Sequence, residues 1–226
     1  MTELAQHSTD YSVVEAEPPE IMGRNLRVGA HLWASATVFF FFAFLFAYFY
    51  LRSVNQQGLW HPHGVKAPVA LGTLIASSVA ASALLTLFAA RRLRAGDQGA
   101  WRAAGLGAFA LGLLAVCLQV VQWWTIGFGP TDGGYASVFW GWTALFLLFL
   151  VCTLYWLETL LATSFRYRGQ GASGHAPGEA SGDPDRTGDD IARPISLIGP
   201  GVDAFAFYWS VLAGIGVVTW FILYIL

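Results

Sequence analysis

The chain has 226 residues, is 56% hydrophobic and only 12% charged, and carries a net charge of −2, against about 25% charged residues in an ordinary soluble domain. That balance excludes a soluble globular module, and it argues against a nucleic-acid partner, which asks for clustered positive charge. It points to an all-α integral membrane bundle of five transmembrane helices, because residues 30–51, 67–90, 103–126, 135–163 and 205–226 are apolar stretches that each exceed the ~20 residues an α-helix needs to cross the hydrocarbon core.

Residues 1–29 form a polar leader with Glu3, Asp10, Glu15, Glu17 and Glu20. It lacks the basic start and apolar centre of a secretory signal, so it is expected to be a flexible cytoplasmic tail, followed by one membrane domain over 30–226. The first span contains VFFFFAFLFAYFY over residues 38–50, bulky on every side. Such a helix faces lipid or a large neighbouring protein, and Phe40 and Phe44 are its candidate partner contacts. In the loop that follows, LWHPHG holds His61 and His63, and a His-x-His turn alone is too thin to carry a metal site. The second span repeats small residues at Gly72, Ala76 and Ala80, and the third at Ala104, Ala108 and Gly112. Stripes of this kind let membrane helices approach closely.

Polar residues within the spans are few. Gln119 and Gln122 lie three apart on one face of the third helix, which suits hydrogen bonding between helices. Glu158 is the acidic residue inside the fourth span, eight residues before Arg166. It reads as an interfacial carboxylate paired with a nearby arginine, or as a buried functional carboxylate. Cys117 and Cys152 fall inside spans and read as packing residues. Residues 169–200, rich in Gly, Ser, Pro and Asp, bury too little apolar surface to offset their ordering entropy and are expected to be a disordered loop. In the last span, Gly214 and Gly216 are the candidate helix break that a transporter would need. No span carries paired His, Met or Cys at matching depth, so no haem, copper or other metal site and no catalytic residue is expected in this chain.

Threading the spans alternately puts ten of the 12 basic residues on one side and leaves only Arg52 and Lys66 on the other. By the positive-inside rule the N-terminus and the 169–200 loop are cytoplasmic and the C-terminus external. Aromatic residues mark both ends: Trp101, Tyr155, Trp156, Tyr208 and Trp209 on the cytoplasmic side, and Tyr48, Tyr50, Trp123, Trp124, Tyr135, Trp220 and Tyr224 on the other.

The order of motifs resembles subunit III of the haem-copper oxidases, the cytochrome c oxidase subunit III family in a five-helix form. The first span runs LWASATVFFFFAFLFAYFY over residues 32–50, similar to the family's Leu-Trp, Ser, Phe-Phe and Ala-Tyr-Phe run. The second has Pro68 and then Thr73-Leu74 and Ser77-Ser78; the third has Gly112, Gln119 and Gln122-Trp123. The fourth opens Tyr135-x-Ser137-x-Phe139-Trp140-x-x-Thr143, and the fifth carries Tyr208-Trp209. Where the family has an intramembrane Glu in the first of these helices this chain has Thr37, and its Glu before Trp is Gln122 here. The family's His-Gly-x-His pair falls on Phe146 and Phe149, and the His after Tyr-Trp on Ser210.

The resemblance implies a non-catalytic component of a terminal oxidase in aerobic respiratory electron transport. It would stabilise a catalytic subunit that holds haem and copper, beside subunit II and membrane lipids, in a bacterial plasma membrane. An accessory subunit of a nitric-oxide reductase complex and a small membrane transporter are the alternatives. The sidedness is directly testable. In a protein whose own cysteines are replaced, an impermeant thiol reagent applied to intact cells should label a cysteine on a short C-terminal extension and spare Ser173→Cys. The reverse pattern would overturn the orientation.

Overall fold

The computed structural model describes residues 19–55, 58, 60, 66–173 and 189–226, with the backbone alone at 19–20, 22, 167–173 and 189–197. The chain order is α1 (Pro19–Ser53), α2 (Val69–Arg94), α3 (Gln98–Thr125), α4 (Gly134–Ser173) and α5 (Asp189–Trp220), closed by a π-helical turn, Phe221–Ile225. No strand occurs among the described residues. All five helices contain a stretch long and apolar enough to cross a membrane, with mean hydropathy between 1.8 and 2.2.

The helices outrun the apolar stretches that announce them. α1 begins at Pro19, inside the expected tail. α4 continues to Ser173 and α5 begins at Asp189, so both enter the loop expected over 169–200, of which residues 174–188 lie outside the described residues. Hydropathy marks the part of a helix that meets hydrocarbon. The backbone continues past it, because its hydrogen bonds are satisfied within the helix in either medium. α5 passes unbroken through Gly214 and Gly216. A Cβ on Gly214 would meet nothing within 4 Å, and one on Gly216 would press on the Phe146 ring at 2.9 Å, so Gly216 serves close packing rather than a break.

α2 and α3 form a tight hairpin. Gly96 takes φ +83°, a left-handed conformation that costs glycine little. Asp97 then caps α3 by accepting from the Ala100 amide at 2.9 Å. α5 packs against α1, α2 and α4, while α1 packs against α4 and α5 at the edge of the bundle. The small-residue stripe of α3 is buried as expected at Ala104, Ala108 and Gly112. On α2 the buried face runs instead through Gly72, Ile75, Val79, Ser82, Ala83 and Thr86, leaving Ala76 and Ala80 half-buried.

Polar pins cross these seams. Ser82 Oγ donates to the Ala108 carbonyl of α3 at 2.6 Å and accepts from Trp209 Nε1 of α5 at 3.1 Å. At the end expected to be cytoplasmic, Arg102 reaches from α3 to the Ser164 carbonyl of α4 at 2.7 Å, and Trp101 Nε1 donates to Ser164 Oγ at 3.2 Å. Arg94 of α2 pairs with Asp203 of α5 at 2.7 Å. Tyr208 and Trp209, expected among the interfacial aromatics, are buried between helices instead, because their polar tips find partners there.

Replacing Ser82 by Ala should lower the stability of the detergent-solubilised protein by about 1 kcal/mol, since it strands the buried Trp209 N–H. Ser77→Ala, on an exposed hydroxyl that bonds within its own helix, should leave the thermal midpoint unchanged.

Candidate functional site

The two glutamines of α3 meet as their spacing suggests. Gln119 and Gln122 are both buried, and Gln119 Nε2 donates to Gln122 Oε1 at 3.0 Å. The same oxygen accepts from Tyr224 Oη at 2.9 Å, in the π-helical turn. The Tyr224 ring lies over Gly72 of α2, where a Cβ would come within 2.5 Å of it. Two elements therefore meet at one acceptor, α3 and the π-helical turn, and α2 supports the tyrosine ring. Gln122 Nε2 itself is buried without a partner among the described residues. Nearby, Trp123 Nε1 donates to Thr143 Oγ1 of α4 at 3.1 Å. This network joins helices and offers no group able to exchange a proton at neutral pH.

A second cluster holds three of the other positions at which the resemblance expects ionisable residues, Thr37, Phe146 and Phe149. Thr37 is buried and lies 3.1 Å from Tyr208 Oη. Phe41, one helical turn further, sits 6.1 Å from Phe146 and 5.8 Å from Phe149, ring centre to ring centre. Ser210 donates to the Ala206 carbonyl of its own helix at 2.7 Å. Apolar rings and locally bonded hydroxyls thus occupy the site. Beside it an apolar groove of about 590 Å³ runs between α1 and α4, lined by Leu26, Ala30, Trp33, Phe149, Trp156 and Tyr208 among others.

The first helix is not bulky on all sides in its packing. Ala30, Ala34, Thr37, Phe41 and Tyr48 form a buried stripe at helical spacing, and Phe39, Phe40, Phe42, Phe46 and Phe49 point away from the bundle. Phe40 therefore lies on the open face, with its edge toward Phe149. Phe44 is half-buried, against Gly141 and Trp142 of α4. The two candidate contacts lie on the same side of α1, about 40° apart around the helix, and differ in burial: Phe40 is exposed and Phe44 half-buried.

Glu158 is exposed on the outer surface of α4, and the expected ion pair with an arginine is not formed among the described residues. Cys117 and Cys152 are exposed rather than packed inside. His31, the one histidine among the described residues, stacks on Phe207 at 4.2 Å, and its Nδ1 lies 2.7 Å from the Arg27 carbonyl. No group of three or more His, Cys, Asp or Glu side chains is gathered among the described residues, and His61 and His63 lie outside them. Sequence reasoning missed the Ser82–Trp209 and Thr37–Tyr208 pairs. A polar residue inside a span was the available signal, but not its partner.

Replacing Gln122 by Met removes the acceptor shared by Gln119 and Tyr224 and should cost about 1–3 kcal/mol. Gln122→Glu, protonated when buried without a cationic partner, keeps an accepting oxygen for Gln119 and Tyr224 and replaces the amide NH2 by a single O–H. It should melt closer to wild type, and the opposite order of melting temperatures would show that the shared acceptor is unimportant.

The family model described as Cytochrome c oxidase subunit III matches residues 12–176, which ends before α5. Cytochrome c oxidase subunit 3 of Ornithorhynchus anatinus is 28% identical over 151 residues, 65% of this chain and 54% of the relative. That of Rattus norvegicus is 30% identical over 124 residues, 53% of this chain and 48% of the relative. The chain spans about half the length of these curated relatives. With most of its length matched and five membrane-crossing helices, this integral membrane protein belongs to the cytochrome c oxidase subunit III family.

Proposed function

We propose that this chain is the subunit III component of a haem-copper terminal oxidase, seated beside the catalytic subunit, with subunit II in the same complex, and steadying them in a bacterial plasma membrane. The family match over residues 12–176 carries this reading. Haem and copper belong, on this reading, to the partner subunit. This chain's residues contribute shape: they fill the family's ionisable positions with uncharged side chains, Thr37, Gln122, Phe146, Phe149 and Ser210. Oxygen rather than nitric oxide is the gas reduced by the complex. Its N-terminus is cytoplasmic and its C-terminus external.

The outward face of α1 is the proposed contact. Only 22% of its apolar window is buried within the chain, against 50% for the last span, so α1 has the most surface to offer a neighbour. Phe40 contributes directly and Phe44 from behind, by holding the helix against Gly141. Aromatic rings there gain dispersion contacts from a protein neighbour without burying polar groups. The groove between α1 and α4 would take a lipid acyl chain, and the exposed Glu158 is free to meet a cationic group outside the chain.

Tagged protein drawn from native membranes in mild detergent should bring down a haem-copper spectrum and oxygen consumption, while the chain purified alone should show no haem signal. Replacing Phe39, Phe42 and Phe46 together by Ala should cut recovery several-fold and leave membrane insertion intact. Recovery of the chain alone, under conditions that hold other oxidase subunits together, would overturn the assignment. Consumption of nitric oxide instead of oxygen would move it to the reductase complex.

A further inference from the structure

Gly214, which the sequence offers as a helix break, is left without that role because α5 runs through it unbroken. Comparable glycines each have another use. Gly105, Gly112, Gly141 and Gly216 lie under side chains of other helices, so that a Cβ there would come within 2.5–3.1 Å of a leucine or a phenylalanine. A Cβ on Gly214 would meet nothing within 4 Å, although the residue lies well inside the span Ile198–Ile225. Gly29 and Gly199 share that openness, but toward the N-terminal ends of their helices. Glycine gives up side-chain contacts and carries more backbone freedom into folding. Within a span it is favoured where another helix comes close, and no other helix among the described residues comes close here.

Gly214 lines an apolar groove of about 280 Å³ between α1 and α5. Val38, Phe42 and Leu45 form one wall, Val211 and Val218 the other, and Trp142 of α4 lies among the lining residues. The space suits one large side chain. Phe42 also belongs to the outward face of α1, so groove and face make one surface.

Two observations favour a protein helix over a lipid tail as the occupant. A fluid acyl chain adapts to alanine or leucine as readily as to glycine, so it gives Gly214 no advantage. A helix does, because the Cβ limits how near two backbones can come. The second observation is Trp142. It is 1% exposed, and its indole N–H is buried without an acceptor among the described residues. Such a donor is costly to leave unmet. A neighbouring helix can bring a hydroxyl or carbonyl oxygen to this region, and a hydrocarbon chain has none.

We propose that a transmembrane helix of a neighbouring subunit docks across α1 and α5, with its backbone close to Gly214, one bulky apolar side chain in the groove and an oxygen for Trp142. This rests on the reading of the chain as one subunit of a membrane complex. It adds α5 to the contact surface of α1 and fixes where the neighbour comes closest.

The test uses the tagged full chain drawn from native membranes in mild detergent, with the haem absorbance recovered per chain as readout. Gly214→Leu should cut that recovery about fivefold. The same variant purified alone should melt no lower than wild type, because its Cβ meets no atom within 4 Å and leucine favours a helix. Val121→Leu, exposed on α3, should recover like wild type. A photoreactive benzoylphenylalanine in place of Val218 should cross-link to a membrane segment of a co-purified subunit, and Gly214→Leu in the same chain should abolish the adduct. Unchanged recovery by Gly214→Leu, or adducts with lipid or a second copy of this chain alone, would overturn the proposal. So would a lower melting temperature of the isolated variant, which would give Gly214 a role inside the bundle. Wild type without any haem signal strikes the oxidase reading instead, and the groove is then judged by its photo-adduct alone.

Discussion

A membrane bundle cannot rely on hydrophobic attraction between its helices, because lipid tails are as apolar as leucine. What it can exploit is close approach combined with a few hydrogen bonds that have no competitor in hydrocarbon. Ser82 does both. Its small side chain lets α2 lie against α3, its hydroxyl donates to the Ala108 carbonyl, and its oxygen accepts from Trp209 of α5. One fully buried hydroxyl thus fixes the spacing of three helices. The remaining helices are placed from this centre: α4 through Leu154 and Leu161 over Gly112 and Gly105, and α1 through Thr37 against Tyr208.

The same logic explains how a subunit III chain stands without ionisable residues at the positions Thr37, Phe146, Phe149 and Ser210. A charged group there would need a buried partner, and leaving it unpaired would be costly. Phe41 packs against both Phe146 and Phe149, and Thr37 meets Tyr208. The result is a closed apolar wall backed by one hydroxyl pair. Such a wall offers packing surface and no ionisable group at these positions.

The asymmetry of α1 has a further consequence. A helix that is apolar all round can sit anywhere in a membrane protein, and its rotation is set only by what packs behind it. Here small Ala30 and Ala34 and the pinned Thr37 turn one stripe inward, which forces Phe39, Phe42 and Phe46 outward. The small residues at the start of that stripe allow close approach, and Phe41 and Tyr48 continue it inward further along the helix.

The amino-acid sequence by itself determined the number and approximate limits of the membrane-crossing segments, the all-helical class and the family. Hydrocarbon thickness sets a length, backbone hydrogen bonding demands a helix, and the motif order from the first to the fourth span is local text. It also placed Gln119 and Gln122 on one face, since that follows from helix pitch alone. Tertiary structure decided everything that depends on rotation and neighbour choice. Spacing could not show that Phe40 is exposed while Phe44 is half-buried against α4, that Glu158 faces outward without a pair, or that Tyr208 and Trp209 are interior pins. Nor could it show that Gly214 opens onto a groove beside α1. In each case the deciding term is the fit of one helix against another, between residues as far apart as Ser82 and Trp209, and no local pattern along a chain carries that information.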